Sequence, residues 1–298
     1  LTTLKDCDII YKMEKGKLEG FTLAYESYGE LNAAADNAIL ICHALTGDHH
    51  AAGIYTKEDP KPGWWNHMIG PGKPIDTKKF YVICTNCLGA CRGSTGPSSS
   101  NNTGSQYGSD FPDLSMSDMI NAQKILLEDI GIYQLFAVIG GSMGGMQTLQ
   151  WVVDYPEFSK RALIIAATAQ HTVQTIAFNE AGRRSITGDP DWKLGNYEKG
   201  QGPRNGLSVA RMMAHITYLS DQGMEEKFGG EDRLDSGKDF EFSVQRYLDY
   251  QGDKFINRFD ANSYLKLTEA LDRFDLVGEK GLHESLKNVQ AKTLVIAF

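Results

Sequence analysis

The sequence predicts a mostly parallel α/β sheet with a block of helices inserted before its last strand. Three observations lead there. Short, apolar, β-branched runs alternate with a helix-period segment through residues 38–168, as expected of strands buried on both faces between covering layers. One of these runs stops at Gly140-Gly141-Ser142-Met143-Gly144-Gly145 and passes directly into a helical pattern. From residue 171 to residue 286 the pattern is almost wholly helical, and a strand pattern returns at residues 294–297. The expected organisation is a core over residues 1–170, a helical lid over 171–286 and a return to the core over 287–298.

The elements follow in order. Residues 21–29 alternate apolar and polar and end at Gly29, which reads as a half-exposed strand. Residues 38–43 are continuously apolar up to His43, as in a fully buried strand. Residues 60–65 and 70–74 are rich in Pro and Gly and read as loops. Residues 80–85 form the next buried strand, followed by a long glycine-rich loop over 89–97. Residues 113–130 carry apolar side chains at helical spacing. Residues 134–140 are the strand into the glycine turn, 146–155 the helix after it, and 161–168 the following strand. Within the helical block the candidates are 172–186, 205–220, 239–250 and 260–274, the last with Asp260 as its N-cap.

Composition narrows the function classes. The chain has 298 residues, 41% hydrophobic and 23% charged, with a net charge of −8. That balance is ordinary for a globular protein and offers no basic footprint for nucleic acid or an anionic membrane surface. No run approaches the ~20 apolar residues of a membrane span. The first residues, Leu-Thr-Thr-Leu-Lys, carry no apolar signal-peptide core, and without an initiator methionine the natural N-terminus is expected upstream. The five cysteines, an odd number, point to a reducing compartment. Cys84, Cys87 and Cys91 are spaced as a metal or redox site can be, but no second pair or histidine follows at zinc spacing, so no metal is assigned.

The glycine turn carries the chemistry. Gly140-x-Ser142-x-Gly144 between a strand and a helix is the pattern of a nucleophile elbow. A serine in so tight a turn needs neighbours without side chains. The same turn aims the first N–H groups of the helix at the space above the hydroxyl. Ser142 is the expected nucleophile. The expected oxyanion donors are the backbone N–H of Met143, the next residue, and that of Leu45, in the loop after an early central strand. His43, His49 and His50 invite a metal reading. It is set aside because His43 ends a strand, and adjacent His49 and His50 would point opposite ways if extended. The loop 89–97 is no phosphate loop, since no Gly-Lys-Ser/Thr opens a helix; it lines a site or is plain surface. Arg211, His215 and Tyr218 share a face at i, i+4 and i+7. That face is either solvated or a clamp for a carboxylate, to which a guanidinium fork is suited.

Several of these stretches together resemble one known group. They are residues 38–48, 70–72, 93–97, 140–146, 211–220 and 250–255. They resemble the homoserine O-acetyltransferase family of the α/β-hydrolase superfamily, over nearly the whole chain. The resemblance implies transfer of an acetyl group from acetyl-CoA, the co-substrate, to the side-chain hydroxyl of L-homoserine, a step towards methionine, with no bound cofactor. It implies a ping-pong route through an acetyl-Ser142 intermediate, with the lid excluding water. It places Arg211 on the homoserine carboxylate with Tyr218 nearby, and it implies a cytoplasmic homodimer joined through the lid. The family's triad acid and histidine match no residue here and are expected beyond Phe298; His171, His215 and His283 do not stand at the catalytic position. The chain is therefore expected to lack the end of its core, to expose an unpaired sheet edge, and to be poorly soluble or inactive alone. A succinyl donor, a serine acceptor, an esterase or thioesterase, and a non-catalytic binding protein are the alternatives.

Overall fold

The computed structural model describes residues 3–13, 16–55, 61–198, 200–230, 233–237 and 239–297. Pro60 of the first expected loop, Phe298 and the side chain of Cys7 lie outside what is described.

The strands are β1 (Thr3–Met13), β2 (Gly16–Tyr28), β3 (Ala38–Cys42), β4 (Ile69–Gly70), β5 (Ile75–Asp76), β6 (Tyr81–Thr85), β7 (Ala137–Gly141), β8 (Arg161–Ile165) and β9 (Lys292–Ile296). The helices are α1 (Met116–Asp129), α2 (Met143–Asp154), α3 (Val173–Thr187), α4 (Arg204–Thr217), α5 (Asp221–Phe228), α6 (Ser243–Ile256), α7 (Ala261–Arg273) and α8 (Leu282–Leu286). Seven strands form one sheet in the order β1-β2-β6-β3-β7-β8-β9. From β6 to β9 all pairings are parallel, while β1 and β2 form an antiparallel extension. This is the mostly parallel α/β sheet expected from the pattern.

Alternation along the central strands separates two cores. Leu40, Cys42 and Val138 face α1 and α2, where they meet Ile120, Leu127 and Trp151. Ile39, Ile41 and Ile139 face the other way and are covered by Ala51, Ala52, Ile69 and Ile75 from the segment after β3 rather than by a helix. Trp151, fully buried, donates to Gln123 Oε1 at 2.8 Å, and Gln123 donates in turn to Gln147 Oε1 at 2.7 Å. This chain of bonds ties α1 to α2 directly behind the glycine turn.

The helical block packs onto the core through one shared apolar cluster. Leu207, Phe255, Leu267 and Leu271 join Met143, Met146, Leu114 and Met119 in it. Asp260 caps α7 as expected, accepting from Ser263 N at 2.8 Å. Several boundaries differ from the sequence reading. The helix after the glycine turn starts at Met143, not Met146, because two further glycines let the backbone wind at once. β1 pairs with a β2 that begins at Gly16, ahead of the expected residue 21. The expected helices at 205–220 and 239–250 run instead over α4 and α6, with α5 between them. The edge strand β9 is exposed along its length, with Leu294 and Val295 each 59% exposed.

Candidate active site

The site grows out of the turn between β7 and α2. Ser142 has φ +55° and ψ −125°, a backbone state that costs a non-glycine residue about 1–3 kcal/mol. Its N–H donates to Ile165 O of β8 at 2.9 Å, which anchors the turn to the sheet. Its neighbours must be glycine because the chain folds back on itself here. A Cβ on Gly140 would stand 2.1 Å from Gly144 O, and one on Gly144 would stand 2.0 Å from Cys42 O. The second contact presses the first turn of α2 against the end of β3. The loop after β3 is thereby carried to the same place as Ser142.

That loop is held from beneath. His43 is fully buried; its Nε2 accepts from Cys87 N–H at 3.0 Å, so Nδ1 bears the proton and donates to Ala44 O at 2.8 Å. Gly47 N–H closes a turn onto Ala44 O at 2.8 Å. From above, Arg258 Nη1 donates to Thr46 O at 2.7 Å, and Arg211 Nη1 lies 3.4 Å from Thr46 Oγ1. His49 and His50 do not point apart, contrary to the sequence reading. They lie in a loop rather than a strand, and both lean towards buried Glu26, with His50 Nδ1 3.0 Å from Glu26 Oε2. Among the described residues no group of three His, Cys, Asp or Glu side chains is arranged to hold a metal ion.

Ser142 and Leu45 line a cavity of about 380 Å³ whose far wall is built by α3, α4 and α7. Tyr218 lines it too, 58% exposed at its rim. Met143 buries its side chain in the core and is not among the residues that line the cavity. Arg211 stands behind the wall, 9% exposed, with Nη1 3.5 Å from Tyr218 Oη and its guanidinium 4.9 Å from the Phe255 ring centre. His215 is equally buried; its Nδ1 is 2.8 Å from Tyr247 Oη. Burial, together with the charges of Arg211, Lys227 and Arg258, lowers its pKa to about 4, so it is neutral. The face that the sequence leaves open between solvent and a clamp is thus turned inward at Arg211 and His215.

The cavity also contains groups that the sequence reading did not assign. His171 lines it, and its Nδ1 lies 3.1 Å from Asp272 Oδ1 on α7. Asn179 and Arg183, one turn apart on α3, donate to the same carboxylate at 2.6 and 2.7 Å. Burial works against the Asp272 charge, but hydrogen bonds from His171, Asn179 and Arg183 outweigh it and hold its pKa low. The only local signal was the i, i+4 spacing of Asn179 and Arg183. Their shared partner lies about ninety residues on, where spacing arguments do not reach.

A strained serine at a strand-to-helix turn of a parallel sheet, with helices roofing a cavity above it, defines an α/β-hydrolase-type site. A family model described as alpha/beta hydrolase fold matches residues 37–297, and the chain belongs to that family. Within it, the chain is 56% identical over 296 residues to a curated relative from Methanococcoides burtonii named homoserine O-acetyltransferase, covering 97% of this chain and 60% of that one. A crystal structure of homoserine O-acetyltransferase from Bacillus anthracis superposes with a TM-score of 0.89 at 32% identity, covering all of this chain and 83% of the other. The crystal structure of esterase E22 gives 0.88 at 34% identity, covering all of this chain and 84% of the other. The chain spans about 60% of the length of the first curated relatives it matches.

Proposed function

We propose that the protein is an acyltransferase that moves the acetyl group of acetyl-CoA to the side-chain hydroxyl of L-homoserine. The observation that carries this reading is the 56% identity, over nearly the whole chain, to a relative named homoserine O-acetyltransferase. Ser142 Oγ attacks the thioester carbonyl, the C–S bond breaks, and CoA leaves as its thiol. The homoserine hydroxyl then attacks the acetyl-serine, the O–C bond to Ser142 breaks, and the proton lost by the homoserine hydroxyl ends on Ser142 Oγ, which is free again. The N–H groups of Leu45 and Met143 face the oxygen that becomes negative in both steps. Two such donors, fixed before the reaction, lower each barrier by several kcal/mol, about 3–4 per donor by analogy with a single oxyanion-hole deletion.

Arg211 and Tyr218 bind the homoserine carboxylate. Buried Arg211 has no carboxylate within ion-pair distance among the described residues, so its charge is free for an anionic acceptor. The acid and histidine that activate Ser142 are proposed to lie outside residues 1–298. The helical block serves as lid and homodimer contact, and the enzyme works in the cytoplasm; among the described residues no helix is long and apolar enough to cross a membrane. A second reading, an acetyl esterase on the same nucleophile, is favoured by the likeness to esterase E22. CoA release from acetyl-CoA, followed with and without L-homoserine on the protein expressed from its natural reading frame, separates the two. Homoserine-dependent release that Ser142→Ala abolishes supports the transferase. Release indifferent to homoserine makes the protein a thioesterase, and turnover of simple acetyl esters alone makes it an esterase.

A further inference from the structure

A line of hydrogen bonds runs from the helical block into the loop after β3. Arg258, in the connection between α6 and α7, donates from Nη1 to Thr46 O at 2.7 Å. The Thr46 carbonyl shares a peptide unit with Gly47 N–H, which donates to Ala44 O at 2.8 Å. The Ala44 carbonyl shares the next peptide unit with Leu45 N–H, and it accepts a second bond from Nδ1 of buried His43, at 2.8 Å. The turn is closed tightly, since a Cβ on Gly47 would stand 3.0 Å from His43 Cβ and 3.2 Å from Ala44 O. Leu45 lines the Ser142 cavity, and its N–H has no partner among the described residues. An open backbone donor beside a serine Oγ is where an oxyanion can be received.

Two physical effects travel along this line. A trans peptide is planar, with its C=O and N–H pointing opposite ways, so the two donors that hold Ala44 O also aim Leu45 N–H. Donation to a carbonyl also strengthens the N–H of the same peptide as a donor, by about 10–30% per bond in a chain, and a cation at the head adds its charge. Arg258 suits that place, because it makes no ion pair among the described residues and its charge is not spent on a carboxylate. We propose that Arg258 is a positioning residue for the Leu45 oxyanion donor, acting from the helical block through the carbonyls of Thr46 and Ala44. This rests on the acyl-serine reading above.

The test reads the carbonyl stretch of acetyl-Ser142 by infrared difference spectroscopy. The protein, expressed from its natural reading frame, is loaded without acceptor from acetyl-CoA that is isotope-labelled at the acetyl carbonyl. Hydrogen bonds to that carbonyl lower its frequency. Arg258→Lys keeps a cationic donor and Arg258→Gln a neutral one. Arg258→Met keeps only the length that packs on Phe255, whose ring centre lies 5.3 Å from the guanidinium. The frequency is expected to rise in the order Arg, Lys, Gln, Met. Turnover falls in the same order, by about two- to tenfold at Met, while the KM values for both substrates move less than about twofold. Any two variants that fold are enough to establish the order. A frequency that stays constant across the series overturns the inference, whether or not kcat or KM has changed, because a mere support of the fold does not alter the bond to the acyl oxygen; the transferase reading then still stands. A wild-type protein that forms no acetyl-enzyme overturns the reading itself, and the inference with it.

Discussion

The floor and the roof of the Ser142 cavity are built on opposite principles. The floor is backbone against backbone. β7, the glycine turn and the first turn of α2 meet the end of β3 at distances that leave no room for a methyl group at Gly140 or Gly144. The roof is side chain against side chain. α4 and its C-cap contribute Arg211, His215 and Tyr218; Arg211 touches Thr46 and Phe255, and His215 touches Tyr247, through long, flexible or aromatic groups. A floor of this kind fixes the position of Ser142 and tolerates no added side chain at Gly140 or Gly144. A roof of this kind can be altered one contact at a time.

The contrast is sharpest at Ser142, the proposed nucleophile. Ser142→Ala is expected to lower turnover by about 10⁴–10⁶-fold, measured as CoA release, without lowering the melting temperature. Ser142→Gly is equally inactive but gains about 1 kcal/mol of stability over the alanine variant in denaturant titration, since glycine adopts φ +55° without strain. A destabilised glycine variant would mean that the turn is not strained in the way described. Next in size is Gly144→Ala. Its Cβ meets the Cys42 carbonyl, so a loss of about 3 kcal/mol or failure to fold is expected, again by denaturant titration. A well-folded Gly144→Ala protein would remove the distinction between floor and roof.

Changes in the roof should be smaller and selective. Arg211→Ala is expected to raise the KM for L-homoserine about 10–100-fold in steady-state assays while moving that for acetyl-CoA less than about threefold. An equal rise for both would mean that Arg211 supports the loop at Thr46 rather than the acceptor. The smallest effect is on acid stability. Folded His215 is neutral with a pKa of about 4, against an ordinary value of 6.5. Below 6.5 the unfolded chain therefore binds a proton that the folded chain refuses. The contribution is complete above pH 6.5 and is lost as pH falls towards 4. Asp272, held below its ordinary value of 3.8, acts with the same sign at lower pH. Thermal melts at pH 7 and pH 5 should show a fall that His215→Asn reduces; an unchanged fall would place the acid sensitivity elsewhere.

The floor was legible in the sequence and the roof was not. Gly140, Ser142 and Gly144 sit within five residues, and their types are dictated by local backbone geometry, so one stretch of sequence is enough to name them. The central strands were legible for a related reason, since burial on both faces demands unbroken apolar runs such as residues 38–42. The i, i+4, i+7 spacing placed Arg211, His215 and Tyr218 on one face but could not tell whether that face looks inward. Phe255 and Tyr247 of α6 decide that, and nothing near α4 announces them. His171 and Asp272 lie 101 positions apart, and Arg258 reaches Thr46 across 212.

The amino-acid sequence by itself determined the order of the central strands and of the helices between them, the serine at the turn and the glycines around it, because each depends on hydrophobic periodicity or on the steric needs of a few consecutive residues. Only the tertiary structure decided which charges face the cavity, which carboxylate holds His171 and which guanidiniums remain unpaired. Those outcomes depend on the crossing of helices far apart in the chain, where burial and the scarcity of counter-charges, rather than spacing, set what each side chain can do.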